Sequence, residues 1–155
     1  LGVIITETLR GCDLRGAVES AMGVLASREH HEETTACLEK ALTLLDCGAN
    51  LVPETIEAIG GGWVAEEALA ISVFCALAFP DDFGRAVLLA VNHGGDSDST
   101  GAITGNILGA HLGVVAVPED WLRRLELREE ISTLADDLHT RYRDDDQWFS
   151  RYPGC

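Results

Sequence analysis

The chain has 155 residues, 46% of them apolar and 24% charged, a balance that builds a folded core and excludes a disordered segment. Its 26 acidic residues against 11 basic ones leave a formal net charge of −15, a field that repels nucleic acid and anionic membrane surfaces. The longest apolar stretch, residues 101–117, is rich in glycine and broken by Asn106 and His111, and it falls short of the roughly 20 apolar residues of a membrane span.

Residues 1–10 are apolar but lack a basic flank and a cleavage pattern. They read as the inside of a helix in a longer chain rather than as a leader. Asp13 is placed to cap a helix over residues 14–27. A second helix fits residues 32–47, with Gly48 where a left-handed C-terminal cap is expected. Pro53 opens a short helical turn that ends at Gly60-Gly61-Gly62. A long helix over residues 64–79 carries a continuous small or apolar face: Ala65, Ala68, Leu69, Ser72, Val73 and Ala76. Pro80-Asp81-Asp82 stops it and caps another over residues 83–93. A polar loop follows at residues 94–100, then a helix over 101–112. Residues 118–121 form a short turn, and a more charged helix covers 126–142. The tail beyond it shows no periodicity. Val114, Val115 and Val117 are the one hint of a strand and are too few for a sheet. The expected class is therefore all-α.

Gly101, Gly105, Gly109 and Gly113 recur every four residues, which makes a bare stripe along one helix face and predicts close approach of another backbone. Cys12, Cys37, Cys47, Cys75 and Cys155 are odd in number and include no C-x-x-C pair. They are expected to be reduced thiols in a cytoplasmic protein.

The chemistry concentrates at Gly94-Gly95-Asp96-Ser97-Asp98-Ser99-Thr100. In extended backbone, a two-residue spacing puts the carboxylates of Asp96 and Asp98 on one side. Hydroxyls follow them, and hard cations prefer such oxygen donors. Asp, Ser and Thr are also good helix N-caps, so capping and cation binding both stay open on chemistry alone. An EF-hand fails because its twelfth position is Ile107, and a phosphate loop fails because no lysine follows the glycines. Asn92 and His93 are placed either to orient the aspartates or to cap the preceding helix. Glu66 and Glu67 sit in a first helical turn, where acids complement the dipole. From its place at a helix entry, Trp63 is read as an aromatic packed on the core. His30-His31-Glu32-Glu33 has no zinc spacing.

The stretch from Ala90 to Ala110, AVNHGGDSDSTGAITGNILGA, resembles the carboxy-terminal signature of the ADP-ribosylglycohydrolase family. Gly62-Trp63-Val64-Ala65-Glu66-Glu67-Ala68-Leu69 and Val117-Pro118-Glu119-Asp120-Trp121 match in the same order and spacing. The resemblance implies an all-α orthogonal bundle and two divalent ions, Mg²⁺ or Mn²⁺, in the complete domain. Asp96, Asp98 and Ser99 would be ligands, and Thr100 a helix-start residue. Trp63 would border the adenosine end of the cleft. The implied activity is hydrolysis of the glycosidic bond between ADP-ribose and a modified protein side chain. The implied partner is an ADP-ribosylated protein or other ADP-ribose conjugate. The family's Thr/Ser-Asp-Asp run is absent from this sequence, so residues 1–155 are expected to be the carboxy-terminal portion of one such domain and inactive alone. The alternatives are a helical protein of the same fold that binds ADP-ribose or a cation without turnover, and an oligomerising helical module with no ligand.

Overall fold

A helix that is apolar around its whole circumference belongs at the centre of a fold, and the fifth helix has that character. In the computed structural model, which describes residues 1–141, 143 and 145–153, it is α5, Ala65–Ala78. Its consecutive residues Ala70, Ile71, Ser72, Val73, Phe74 and Cys75 are all buried. Around it lie α2 (Leu14–Leu25), α3 (Glu32–Asp46), α4 (Pro53–Ile59), α6 (Phe83–Val91) and α7 (Ser97–Leu112), with α1 (Gly2–Leu9) packed on α2 and α7. These helices form one compact unit, Leu1–Pro118, and Glu119–Cys155 forms a second. Regular structure among the described residues is helical throughout, as the periodicity predicts. No helix among them is long and apolar enough to cross a membrane.

The terminators act as their chemistry requires. Asp13 accepts from the Gly16 N–H at 2.8 Å and starts α2. Gly48 takes φ +68 after α3, and the N–H of Ala49 reaches back to the Leu44 carbonyl at 3.0 Å, closing the helix in the left-handed manner. Burial pushes the Cys75 thiol up to about 12, so it packs as a small apolar group. Cys12, Cys37, Cys47 and Cys75 are all unpaired.

The main departure from expectation is α7. It begins at Ser97, not at residue 101, so residues 97–100 are its first turn rather than a loop. Small polar side chains suit a first turn, where backbone N–H groups lack helical partners. Gly101 is instead a packing residue, since a Cβ there would lie 2.6 Å from Cγ1 of Val91 on α6. The rest of the glycine stripe does not serve close approach. A Cβ on Gly105 would meet Phe83 at an ordinary 3.7 Å, Gly109 faces open space, and Gly113 ends the helix at φ +74. The valines after it form a 3-10 turn, Val114–Ala116.

The second unit holds α8 (Glu119–Arg124), α9 (Arg128–Thr140) and α10 (Asp146–Arg151). The expected end of α9 at Tyr142 lies outside the described residues, as do Asp144 and Cys155. The tail is not irregular, because Asp145 accepts from the Trp148 N–H at 2.8 Å and starts α10. Asp137 on α9 is buried and accepts from Arg151 Nη1 at 2.7 Å and from the Tyr152 hydroxyl at 3.0 Å. The rings of Trp148 and Tyr152 then pack on each other at 4.9 Å.

Candidate active site

Two glycine-rich connections meet at one end of α5. Gly60-Gly61-Gly62 leads from α4 into α5, and residues 92–96 lead from α6 into α7. They are joined by the Asp96 N–H donating to the Gly61 carbonyl at 2.8 Å. The approach leaves no room for a side chain, since a Cβ on Gly95 would overlap the Gly61 oxygen and lie 2.7 Å from its carbonyl carbon.

Side chains fix both connections. Glu67 Oε2 accepts from the N–H groups of Gly61 and Gly62, each at 3.0 Å. The sequence suggests only a dipole role for this residue, because its spacing from the glycines becomes meaningful only once the chain turns back there. Glu57, at the end of α4, accepts from the Gly94 N–H at 3.0 Å, and nothing in its sequence context marks it.

His93 is placed inside the turn. Its Nδ1 accepts from the Gly95 N–H at 3.1 Å, and its Nε2 lies 3.1 Å from Thr100 Oγ1. A backbone N–H can only donate, so Nδ1 carries no proton and Nε2 carries it. Thr100 Oγ1 accepts that proton and donates its own to the Ala90 carbonyl at 2.7 Å. Thr100 is completely buried, and its carbonyl lies 3.0 Å from the Ser72 hydroxyl of α5. One threonine thus ties α6, α7 and His93 together. Thr100→Val keeps the shape but strands a carbonyl and an imidazole N–H. It is expected to cost about 2 kcal/mol of stability, read as a lower urea midpoint, and an unchanged midpoint would refute this role. Asn92 does not share it, since its amide donates to the Leu88 carbonyl at 2.6 Å, at the end of its own helix.

The acids sit on this frame. Asp96 is the N-cap of α7, and Asp98 is in the first turn, so the two are not alternating residues of an extended strand. They nevertheless come within hydrogen-bonding reach of each other. The Asp98 carboxyl is held below the usual carboxylate range, chiefly by the hydrogen bond with Asp96 and then by the N–H groups of Ser99 and of Asp98 itself. Asp96 makes no side-chain capping bond. The other N-cap aspartates, Asp13, Asp82 and Asp145, each accept an N–H of their own helix. Capping therefore does not account for Asp96. Ser99 follows Asp98 in the same turn and is partly buried. Trp63 is 73% exposed, which rules out the core reading, and its indole lies against Gly61.

In kind, this donor set fits a hard cation, with two adjacent carboxylates and a hydroxyl. In number it covers about half of an octahedral shell of roughly six oxygens, and among the described residues no three or more His, Cys, Asp or Glu side chains are arranged so that they could hold a metal ion. A cavity of about 600 Å³ lies elsewhere, between Leu14, Leu45, Leu77, Pro80 and His111, and includes no residue of the two connections.

ADP-ribosylhydrolase ARH3 of Homo sapiens is 28% identical over 137 residues, spanning 82% of this chain and 38% of the relative. ADP-ribosylarginine hydrolase Tri1 of Serratia proteamaculans is 48% identical over 58 residues, 37% of this chain and 16% of the relative. The ADP-ribosyl-[dinitrogen reductase] glycohydrolase of Rhodospirillum rubrum is 42% identical over 50 residues, 32% of this chain and 17% of the relative. The chain thus spans little more than a third of the length of the relatives it matches most fully. No solved structure matches it. The family model for ADP-ribosylglycohydrolase matches residues 1–147. With an all-helical unit built around α5, that match over nearly the whole sequence places the chain in the ADP-ribosylglycohydrolase family.

Proposed function

We propose that this chain supplies one wall of the active site of a metal-dependent ADP-ribosyl glycohydrolase, acting on an ADP-ribosylated protein side chain. The observation that carries the reading is Asp96, an N-cap aspartate whose side chain makes no capping bond and lies beside the carboxyl of Asp98. A cation there faces the positive end of α7, and two carboxylates supply the charge to offset it. Asp96, Asp98 and Ser99 would hold Mg²⁺ or Mn²⁺, with the remaining ligands from outside these residues. Such an ion, when bound, orients a ribose diol and favours ionisation of water.

The rest is the work of the chain itself. The glycine connections bring the backbone close without side chains in the way. His93 and Thr100 hold the turn, so the carboxylates need not reorganise when charge develops. The exposed indole of Trp63 offers a flat face on which adenine could stack. The reaction would cleave the bond between the ribose anomeric carbon and a side-chain nitrogen or oxygen, with water adding to the carbon. A second reading, cation or ADP-ribose binding without turnover, is favoured for the isolated chain because no three His, Cys, Asp or Glu side chains among the described residues are arranged to hold a metal ion.

Titration of the 155-residue chain with Mn²⁺, followed by amide NMR, tests the site. Paramagnetic broadening is expected first at residues 96–100 and at the Gly61–Trp63 segment bonded to them. Uniform broadening over the acidic surface, with no priority for this turn, would overturn the reading.

A further inference from the structure

We infer that Glu67 is a positioning residue for the acidic turn, an inference that rests on the proposed cation site. It is the third residue of α5. A glutamate at that place commonly turns back to the N–H of the N-cap residue. Here the N-cap is Val64, whose side chain cannot reciprocate, and Glu67 reaches further, to Gly61 and Gly62 at 3.0 Å each.

The carboxylate is threaded into the glycine connection, since a Cβ on Gly60 would lie 2.6 Å from Glu67 Cγ. Gly61 is thus held at both ends, its N–H by Glu67 and its carbonyl by the Asp96 N–H at 2.8 Å. Two hydrogen bonds in series connect a side chain of α5 to the backbone of Asp96. Dipole compensation at the start of α5 needs none of this geometry, only a negative charge. The two roles therefore separate by substitution. Glu67→Asp keeps the charge and loses about one methylene of reach, whereas Glu67→Gln loses the charge and keeps an acceptor oxygen at full reach.

The test uses both variants of the 155-residue chain, with two readouts. Amide hydrogen exchange at Asp96 follows the link itself. In Glu67→Asp it is expected to quicken at least about tenfold, while amides in the middle of α5 keep their protection. Mn²⁺ affinity, from broadening of the same amides, is expected to fall roughly tenfold in Glu67→Asp and to stay within about twofold of the parent in Glu67→Gln. Parent-like exchange at Asp96 in Glu67→Asp overturns the inference, and so does the reverse pattern, with Gln impaired and Asp intact. If the parent chain shows no selective Mn²⁺ effect at residues 96–100, the cation reading fails, and Asp96 exchange still decides whether Glu67 governs the turn.

Discussion

Gly95→Ala is expected to destabilise the Leu1–Pro118 unit by about 3 kcal/mol and to free the Asp96 amide to exchange. The Cβ would overlap the Gly61 carbonyl oxygen and lie 2.7 Å and 2.9 Å from its carbon and Cα. These are backbone atoms, and no rotamer change removes them. Gly61 cannot retreat easily, because Glu67 holds its N–H at 3.0 Å. Nor can Gly95, whose own N–H is bonded to His93 Nδ1 at 3.1 Å. The two connections must part, losing the Asp96 hydrogen bond and exposing the groups beneath it. Gly109→Ala is the matched control. A Cβ there meets open space in the interior of α7, so it should stabilise the unit by about 0.5–1 kcal/mol. Urea unfolding of both variants separates a general glycine effect from a steric one. A Gly95→Ala midpoint equal to that of the parent would mean that the close approach is not needed.

The reach of sequence reading here follows the range of the interactions. Helix starts and stops written in adjacent residues are legible: Asp13, Gly48, Pro53 and the run Pro80-Asp81-Asp82 all act within a turn of where they stand. The uniform small and apolar character of α5 likewise announced a central helix. The start of α7 was not legible, because Gly101 looks like a boundary when its purpose is contact with Val91 on another helix. Glu57 and Glu67 escaped for the same reason. Glu57 serves Gly94, 37 residues away, and Glu67 serves glycines that lie behind it in a chain that doubles back. Trp63 could not be assigned from its neighbours, since burial is a property of the packed unit. The acids were found by their letters, yet the detail that distinguishes Asp96 from three other N-cap aspartates is the direction of one side chain. Residue type alone does not carry that direction.

Asp96→Asn and Asp98→Asn are each expected to lower turnover more than roughly a hundredfold in a polypeptide of the full length of the relatives. Stability should stay within about 0.5 kcal/mol of the parent. The two halves of this expectation come from different observations. Asp96 makes no capping bond to α7, so an amide in its place removes nothing the helix uses. Asp98 Oδ1 accepts from the Ser99 N–H at 3.1 Å, and an asparagine oxygen can accept the same bond. What each substitution does remove is a negative charge at the positive end of a helix, where a cation has no other reason to settle. A purely structural acid would show the opposite balance, with a loss of stability and activity lost only through unfolding. Melting curves and kcat measured on the same preparations distinguish the two. Parent rates in either variant would exclude Asp96 and Asp98 as holders of the ion. Reduced rates that track reduced melting would return the acidic turn to a structural role.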